Sequence, residues 1–422
     1  MEPMDAVESM DAVKSMTVDG RRLWASLEEV SRIGATQAGG LHRLAGSEED
    51  RLARDLVVAA AEAVGARRRV DEVGNTFLTL GPSDRRGILI GSHLDSQPQA
   101  GRYDGTYGVM AGLEVLCTLH DSGTELARPV TLVIWTDEEG ARFAPAMLGS
   151  GVFAGRSSAA DALTSTDADG VTLAHALSAI GYLGTDVVEP GEFDAYVEAH
   201  IEQGPILEND GIDIGVVEAV QAQYWTQVSL VGERAHAGTF PLEQRRDALL
   251  AAAEIVTGVR EIGLRRRGVG RATVGRLDVA PNSPNVVPGE VDLTVEVRHP
   301  HQGELDAMLD EVLALVADVV QRHDLAVQTR QLLASAPVAF DPAVIDAVQE
   351  AAQAAGFSWR RMVSGAGHDA VPVSDHLPAG MVFVPCHGGV SHAEAESMTS
   401  QWAQNGAQVL LGAVLHLVQR PC

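Results

Sequence analysis

The segment RGILIGSHLDS, residues 86–96, decides how the chain reads. Its apolar core Ile88–Leu89–Ile90 has the character of a strand buried on both faces, and it runs directly into a polar loop holding His93 and Asp95. Two more segments repeat that design. PVTLVIWTDEEG (129–140) is a strand with acidic residues at its C-terminal end, and FDAYVEAHIEQGP (193–205) is a shorter strand ending in a His and a Glu. Helical patterns cover 21–36, 47–65 and roughly 107–121, the second opened by Ser47 with Asp50 three residues on, in the manner of a capping box. Strands alternating with helices predict an α/β sheet, and ligands of such sheets gather at the carboxyl ends of the strands.

Outward from residue 218 the pattern changes. QYWTQVSLVG, ATVGRLDVA, EVDLTVEVRH and LAVQTRQLLA read as strands, and RRDALLAAAEIVTGVREI and ELDAMLDEVLALVADVVQRH as helices. Their order is βαββαβ, the split arrangement of a ferredoxin-like domain. After it the α/β signals resume, with a helix near 341–355, a strand at MVFVPC and a helix over about 399–419. The expected organisation is a mobile leader (1–20), a catalytic domain in two pieces (21–217 and 335–422) and an inserted α+β domain (218–334). The leader repeats MDAV and SM and lacks the apolar centre of a secretory signal.

The formal charge of −27 argues against nucleic acid and anionic membranes as partners, since like charge repels both. No apolar run approaches the length of a membrane span. Three cysteines, Cys117, Cys386 and Cys422, fit no disulfide framework or metal-site spacing and suit a reducing, cytoplasmic setting.

The chemistry is carried by His93 and Asp95 in GSHLDS, Asp104 in GRYDGTYG, Glu138 and Glu139 in TDEEG, His200 in AHIEQGP and His392 in GVSHAE. Taken singly, each is as ordinary as a turn aspartate or a surface histidine. Jointly, most of them follow predicted strands, and they supply the imidazole and carboxylate mixture that zinc, manganese or cobalt prefers. Two neighbouring metals need a bridging carboxylate, and a carboxylate outside the ligand set must move the proton. An adjacent Glu–Glu pair can divide coordination from base duty. Asp95, two residues after His93, is placed to accept the other ring N–H of that histidine.

These motifs, with AHAGT, RRDALLAA, PNSPNVVPG and SGAGHDA, resemble the hydantoinase/carbamoylase family of amidases, within the dinuclear-metal carboxypeptidase and aminoacylase superfamily. The likeness runs from about residue 20 to the end of the chain. It implies a zinc-aminopeptidase-like α/β catalytic domain with a mixed sheet, interrupted by a ferredoxin-like lid and dimerisation domain. It also implies two divalent ions (zinc, manganese, cobalt or nickel), one held by His93, Asp104 and His200 and the other by Asp104, Glu139 and His392. Asp104 then bridges and Glu138 is the general base and acid. A cis peptide at Asp104–Gly105 is a further expectation. Superfamily peptidases commonly carry a carboxylate where this chain has His200, which favours the carbamoylase branch.

The resemblance points to a substrate cradle of Gln203, His236, Asn285 and Arg298, with Gly365, Gly367 and His368 in the GAGHDA loop. Arg298 offers the two-pronged fork that suits a substrate carboxylate, and His236 a donor for an oxyanion. The implied reaction is hydrolysis of the carbamoyl C–N bond of N-carbamoyl-L-amino acids, a small carboxylate-bearing ureido substrate. Alternatives are allantoate or another ureido compound of purine or pyrimidine breakdown, then a metallopeptidase or aminoacylase, then a non-catalytic scaffold. A homodimer through the inserted domain is expected. The chain departs from the family at APAMLGS (144–150), at SHAEAE (391–396), where a proline is usual, and at Cys386–His387.

Overall fold

The computed structural model describes residues 16–266 and 268–419; the leader segment 1–15 and Cys422 lie outside them. Numbered in chain order, the strands of four or more residues are β1 (Arg67–Val70), β2 (Thr76–Leu80), β3 (Gly87–His93), β4 (Val130–Trp135), β5 (Phe193–Ile201), β6 (Ile214–Val220), β7 (Ala222–Val231), β8 (Arg271–Ala280), β9 (Glu290–His299), β10 (Ala326–Ser335), β11 (Trp359–Ser364) and β12 (Ala379–Val384). The chain forms two compact units, one running to Glu218 and resuming at Phe340, the other spanning Ala219–Ala339.

In the first unit the sheet order is β1-β2-β4-β3-β5-β12-β6, with β11 paired to β6. Strands β4, β3, β5 and β12 run parallel, whereas β2 and β6 join antiparallel at either side. The sheet is therefore mixed. Its parallel centre is buried along every residue of β3, β4 and β12, which is why those segments read as continuous apolar runs rather than alternating ones. From β3 the chain passes to β4 on one side and to β5 on the other, which opens a crevice beyond their carboxyl ends. The register aligns His93 with Trp135 and His200 with Phe383, so four strand ends face one place.

Helix Thr106–Asp121 is buried from Thr106 through Leu119. It packs on β3 and β5, beneath the helices Gly20–Val30 and Ser400–Gln419. The first of those is shorter than its hydrophobic pattern predicts. It ends at Val30, and Gly34, at φ +83°, turns the chain instead of extending the helix to 36. Residues before it are held as well: Val18 N–H donates to Gln408 and Asp19 N–H to Glu114. In helix Glu48–Ala63, Ser47 Oγ accepts the Asp50 N–H at 3.2 Å, but the capping box is not reciprocal. The Asp50 carboxylate accepts from Gly46 N–H and pairs with the buried Arg54 at 2.7 Å. No helix of the described residues is long and apolar enough to cross a membrane.

The second unit is an antiparallel sheet in the order β10-β7-β9-β8, with helices Ala248–Arg265 and Gln302–Arg322 packed on it. β9 alternates between buried and half-buried positions. Val291, Leu293, Val295 and Val297 enter a core shared with Ile255, Val259, Met308 and Val316. The chain order is βαββαβ, as the period-two and period-3.6 patterns predict.

Candidate metal centre

The strand ends of the first unit bring the predicted residues together around Asp104. His93 closes β3 and is buried, and its Nδ1 lies 2.9 Å from the Asp95 carbonyl oxygen. The backbone carbonyl, not the Asp95 carboxylate at 3.7 Å, takes that ring proton. This corrects the expected contact. A carboxylate only two residues on is drawn away because it receives the N–H groups of Glu138 and Glu139, both at 3.2 Å. His200, near the end of β5, directs Nδ1 to the Ile201 carbonyl at 2.9 Å. Both histidines thus turn Nε2 toward Asp104, the orientation a metal ligand needs.

The two oxygens of Asp104 face different partners. Oδ1 lies 3.2 Å from His200 Nε2 and 3.8 Å from His93 Nε2. Oδ2 lies 3.2 Å from His392 Nε2, and accepts from Gln203 Nε2 at 2.7 Å and Ser391 Oγ at 2.9 Å. Glu139 Oε2 is 3.4 Å from His392 Nε2. Two ligand sets of matching reach result, His93–Asp104–His200 and Asp104–Glu139–His392, with Asp104 common to both. Their chemistry, imidazole nitrogens around a shared carboxylate, fits a pair of divalent ions. Glu138 stands beside the first set, its Oε2 3.5 Å from His93 Nε2.

Electrostatics agree with an electron-rich, partly dry centre. Burial pushes the Glu138 carboxyl well above its usual range, and Asp369, Glu139, Asp95 and Asp104 add to it. Burial and Asp104 raise Glu139 to about 8. Burial alone would raise Asp104, but hydrogen bonds from His200 and His392 override it and hold the carboxylate well below the usual range. For His200 burial opposes the charge, yet Asp104 lifts the imidazole to about 9. His392, half-exposed, is likewise raised to about 9, chiefly by its Asp104 hydrogen bond.

The sequence leaves Glu396 open between a support for His392 and a solvated carboxylate, and gives no signal for Gln97 or Glu198. Glu396, near the start of the last helix, is buried, and its Oε1 accepts the N–H groups of Tyr103 (2.7 Å) and Asp104 (3.2 Å). It therefore fixes the loop under the shared aspartate rather than meeting solvent. Gln97 braces Glu139 through its N–H and its amide. Glu198, two residues before His200, forms a third possible ligand group with His200 and His368. Its oxygens are already occupied by Ser92, Tyr196 and the Ala370 N–H, and His368 Nε2 lies 3.0 Å from Ser364 Oγ. That group reads as a buried hydrogen-bond network.

Of the expected substrate contacts, Gln203 sits on Asp104 itself, and its Oε1 is buried without a partner, as is Asp369 Oδ2. His368 is buried against His200, with ring centres 4.5 Å apart. Gly365 and Gly367 lie in the loop between β11 and the short helix Ala370–Val373. In the second unit, His236 Nδ1 accepts the N–H groups of Gly238 and Thr239, and Asn285 Nδ2 lies 3.3 Å from His236 Nε2. Two N–H groups on Nδ1 leave the proton of an uncharged ring on Nε2, which is satisfied when the Asn285 amide turns its oxygen toward it. Arg298 Nε donates to Glu296 at 2.5 Å, and Trp225 shares that acceptor. The Asp104–Gly105 peptide is not among the cis bonds of the described residues, which are Ala144–Pro145 and Ala280–Pro281. A non-proline cis bond at Asp104–Gly105 would cost about 3–4 kcal/mol.

A mixed α/β sheet with two candidate ligand sets meeting on one aspartate defines the class: a metallohydrolase-like fold. The model of peptidase family M20/M25/M40 matches residues 89–416, and the chain belongs to that family. Its members typically use a dinuclear metal site. The chain is 40% identical over 404 residues to an N-carbamoyl-L-amino-acid amidohydrolase of Rhizobium meliloti, covering 95% of this chain and 97% of that one. It is 34% identical over 392 residues to an allantoate amidohydrolase of Bacillus subtilis, covering 91% and 94%. A hydantoinase/carbamoylase family amidase from Burkholderia multivorans superposes with a TM-score of 0.92 at 46% identity, covering 97% and 100%.

Proposed function

We propose that this chain is a metal-dependent amidohydrolase that cuts the carbamoyl C–N bond of N-carbamoyl-L-amino acids, releasing the amino acid, ammonia and carbon dioxide. The observation that carries the reading is the division of Asp104, one oxygen toward His93 and His200 and the other toward His392. When bound, two divalent ions supply Lewis acidity for the carbonyl and a nucleophilic water near neutral pH. Glu138 takes the proton from the attacking water and returns it to the leaving nitrogen, and its raised affinity for protons suits both steps. His236, with its proton on Nε2, donates to the oxyanion; Arg298 holds the substrate carboxylate. Gln203 and the loop Gly365–His368 of the first unit, and Asn285 of the second, are the further substrate contacts that the family resemblance implies. Zinc, manganese, cobalt and nickel all suit the donor set, so availability decides occupancy. The inserted unit pairs two copies, and the enzyme works in the cytoplasm.

The 40% identity to a carbamoyl amino acid enzyme, against 34% to an allantoate enzyme, supports the first substrate class over the second. Ammonia release would be followed with metal-stripped protein reloaded with manganese, zinc or cobalt. The panel is N-carbamoyl-L-methionine, its D isomer, 3-ureidopropionate, allantoate and N-acetyl-L-methionine. Turnover confined to L-carbamoyl compounds is the expected result. Preference for allantoate would move the substrate while keeping the chemistry, and silence on all five would overturn the reading.

A further inference from the structure

Arg43 is fully buried, yet no carboxylate lies within ion-pair distance of it among the described residues. Its guanidinium is spent on oxygens of three segments. Nε donates to the Leu94 carbonyl at 2.6 Å, Nη2 to Thr106 Oγ1 at 2.7 Å, and Nη1 to the carbonyls of Val30 and Ile33 at 3.0 and 3.3 Å. The backbone of the same residue exchanges two more hydrogen bonds with Ser96. Leu94 stands between His93 and Asp95, and Thr106 follows Asp104–Gly105 as the first residue of its helix. One planar group therefore joins the loop that carries the first histidine to the turn that carries the shared aspartate.

We propose that Arg43 is a positioning residue for the metal centre, fixing the distance between His93 and Asp104 through Leu94 and Thr106. The inference rests on the metal reading given above. Three features support a role beyond packing. A helix end can be capped by water or a backbone N–H, so burying a whole guanidinium to reach Val30 and Ile33 is not needed for capping alone. Desolvating an arginine without a carboxylate partner is costly, and such groups persist where their geometry is used. The charge is also kept: burial lowers Arg43 only to about 10. The cation thus stays under a centre crowded with carboxylates. A lysine would preserve that charge but present a point donor in place of the fork, and could not hold Leu94, Thr106 and the helix end together.

The test compares Arg43→Lys, Thr106→Val and Thr106→Ser with the native chain. Zinc affinity is read by competition with a chromophoric chelator, and thermal unfolding of the metal-free protein is measured alongside. Arg43→Lys and Thr106→Val are expected to weaken zinc binding by about 10- to 100-fold, the usual cost of removing a group that orients a ligand. Thr106→Ser, which keeps the hydroxyl, should restore it. In the cobalt-loaded protein the visible d–d spectrum should shift in the two weak binders and not in the serine variant. If Arg43→Lys fails to fold, Thr106→Val and its serine rescue decide the matter. Variants that melt earlier yet bind zinc as tightly as the native chain would overturn the proposal. A native chain that binds no zinc would instead overturn the metal reading on which it stands.

Discussion

Asp95 and Glu138 are joined through backbone: Asp95 Oδ1 accepts the Glu138 N–H at 3.2 Å, and Oδ2 accepts the Glu139 N–H at the same distance. The carboxylate after the first histidine thus aims the acidic pair at the end of β4. It fixes the proposed base, Glu138, and the proposed ligand, Glu139, at once, through main-chain atoms that substitution at 138 or 139 would not remove.

Asp95→Asn should therefore impair turnover more than metal content. The amide keeps one acceptor and gains a donor facing an N–H, losing a charge-assisted hydrogen bond worth about 1.5–3 kcal/mol. A fall in kcat of about 10- to 100-fold with near-native metal stoichiometry is expected. Equal loss of both would return Asp95 to the role of orienting His93.

Glu138→Gln separates chemistry from coordination. It keeps the shape at 138 and removes the proton carrier, so kcat should drop by about 10²–10⁴-fold. Metal content by elemental analysis should be unchanged. Near-native turnover would show that another group moves the proton.

Metal loading should depend steeply on pH. In the metal-free chain Glu139 titrates at about 8, and His200 and His392 at about 9, so all three hold protons at neutral pH. Metal must displace those protons, so affinity rises with pH through neutrality and levels off once the histidines are free, and falls in acid. Calorimetry in two buffers of different ionisation enthalpy reads the number released. Binding without proton release would contradict this electrostatic picture.

Gly105 has φ +60°, and a Cβ there would lie 2.3 Å from Cε1 and Nε2 of His93. The ring is buried and anchored through Nδ1, so it cannot step aside. Gly105→Ala should cost about 1–3 kcal/mol from overpacking, with backbone strain in addition. Metal stoichiometry should fall even in the folded fraction. Full occupancy in that variant would mean that the first ligand set is not formed around this turn.

Arg298→Ala tests the second unit. If the guanidinium holds the substrate carboxylate, KM should rise by about 10- to 100-fold with kcat little changed, as for loss of uniform binding through a charge-assisted pair. A substrate amide in place of the carboxylate should then be handled alike by native and variant enzymes. An unaltered KM would assign Arg298 to structural pairing, including that with Glu296.

What could be read from the chain beforehand was local. The apolar runs at β3, β4 and β12 announce a buried parallel sheet. The alternation in β9 with two amphipathic helices announces the inserted unit, and the residues Asp104 gathers follow recognisable strand ends. What could not be read depends on partners far away in sequence. Glu396 reaches Asp104 across 292 residues and Arg43 reaches Thr106 across 63. Neither pairing leaves a periodic trace. Proximity in sequence points Asp95 to His93, whereas folding delivers it to residues 43 and 44 positions on.

The place of β12 between β5 and β6 has a consequence for biosynthesis. A ribosome makes roughly 5–20 residues per second, so the span from His200 to His392 takes about 10–40 s to emerge. For that interval the nascent chain already holds His93, Asp104, Glu139 and His200, while the slot between β5 and β6 stands empty and His392 is unmade. The second candidate ligand group, which needs His392, is therefore completed only after translation has passed the inserted unit.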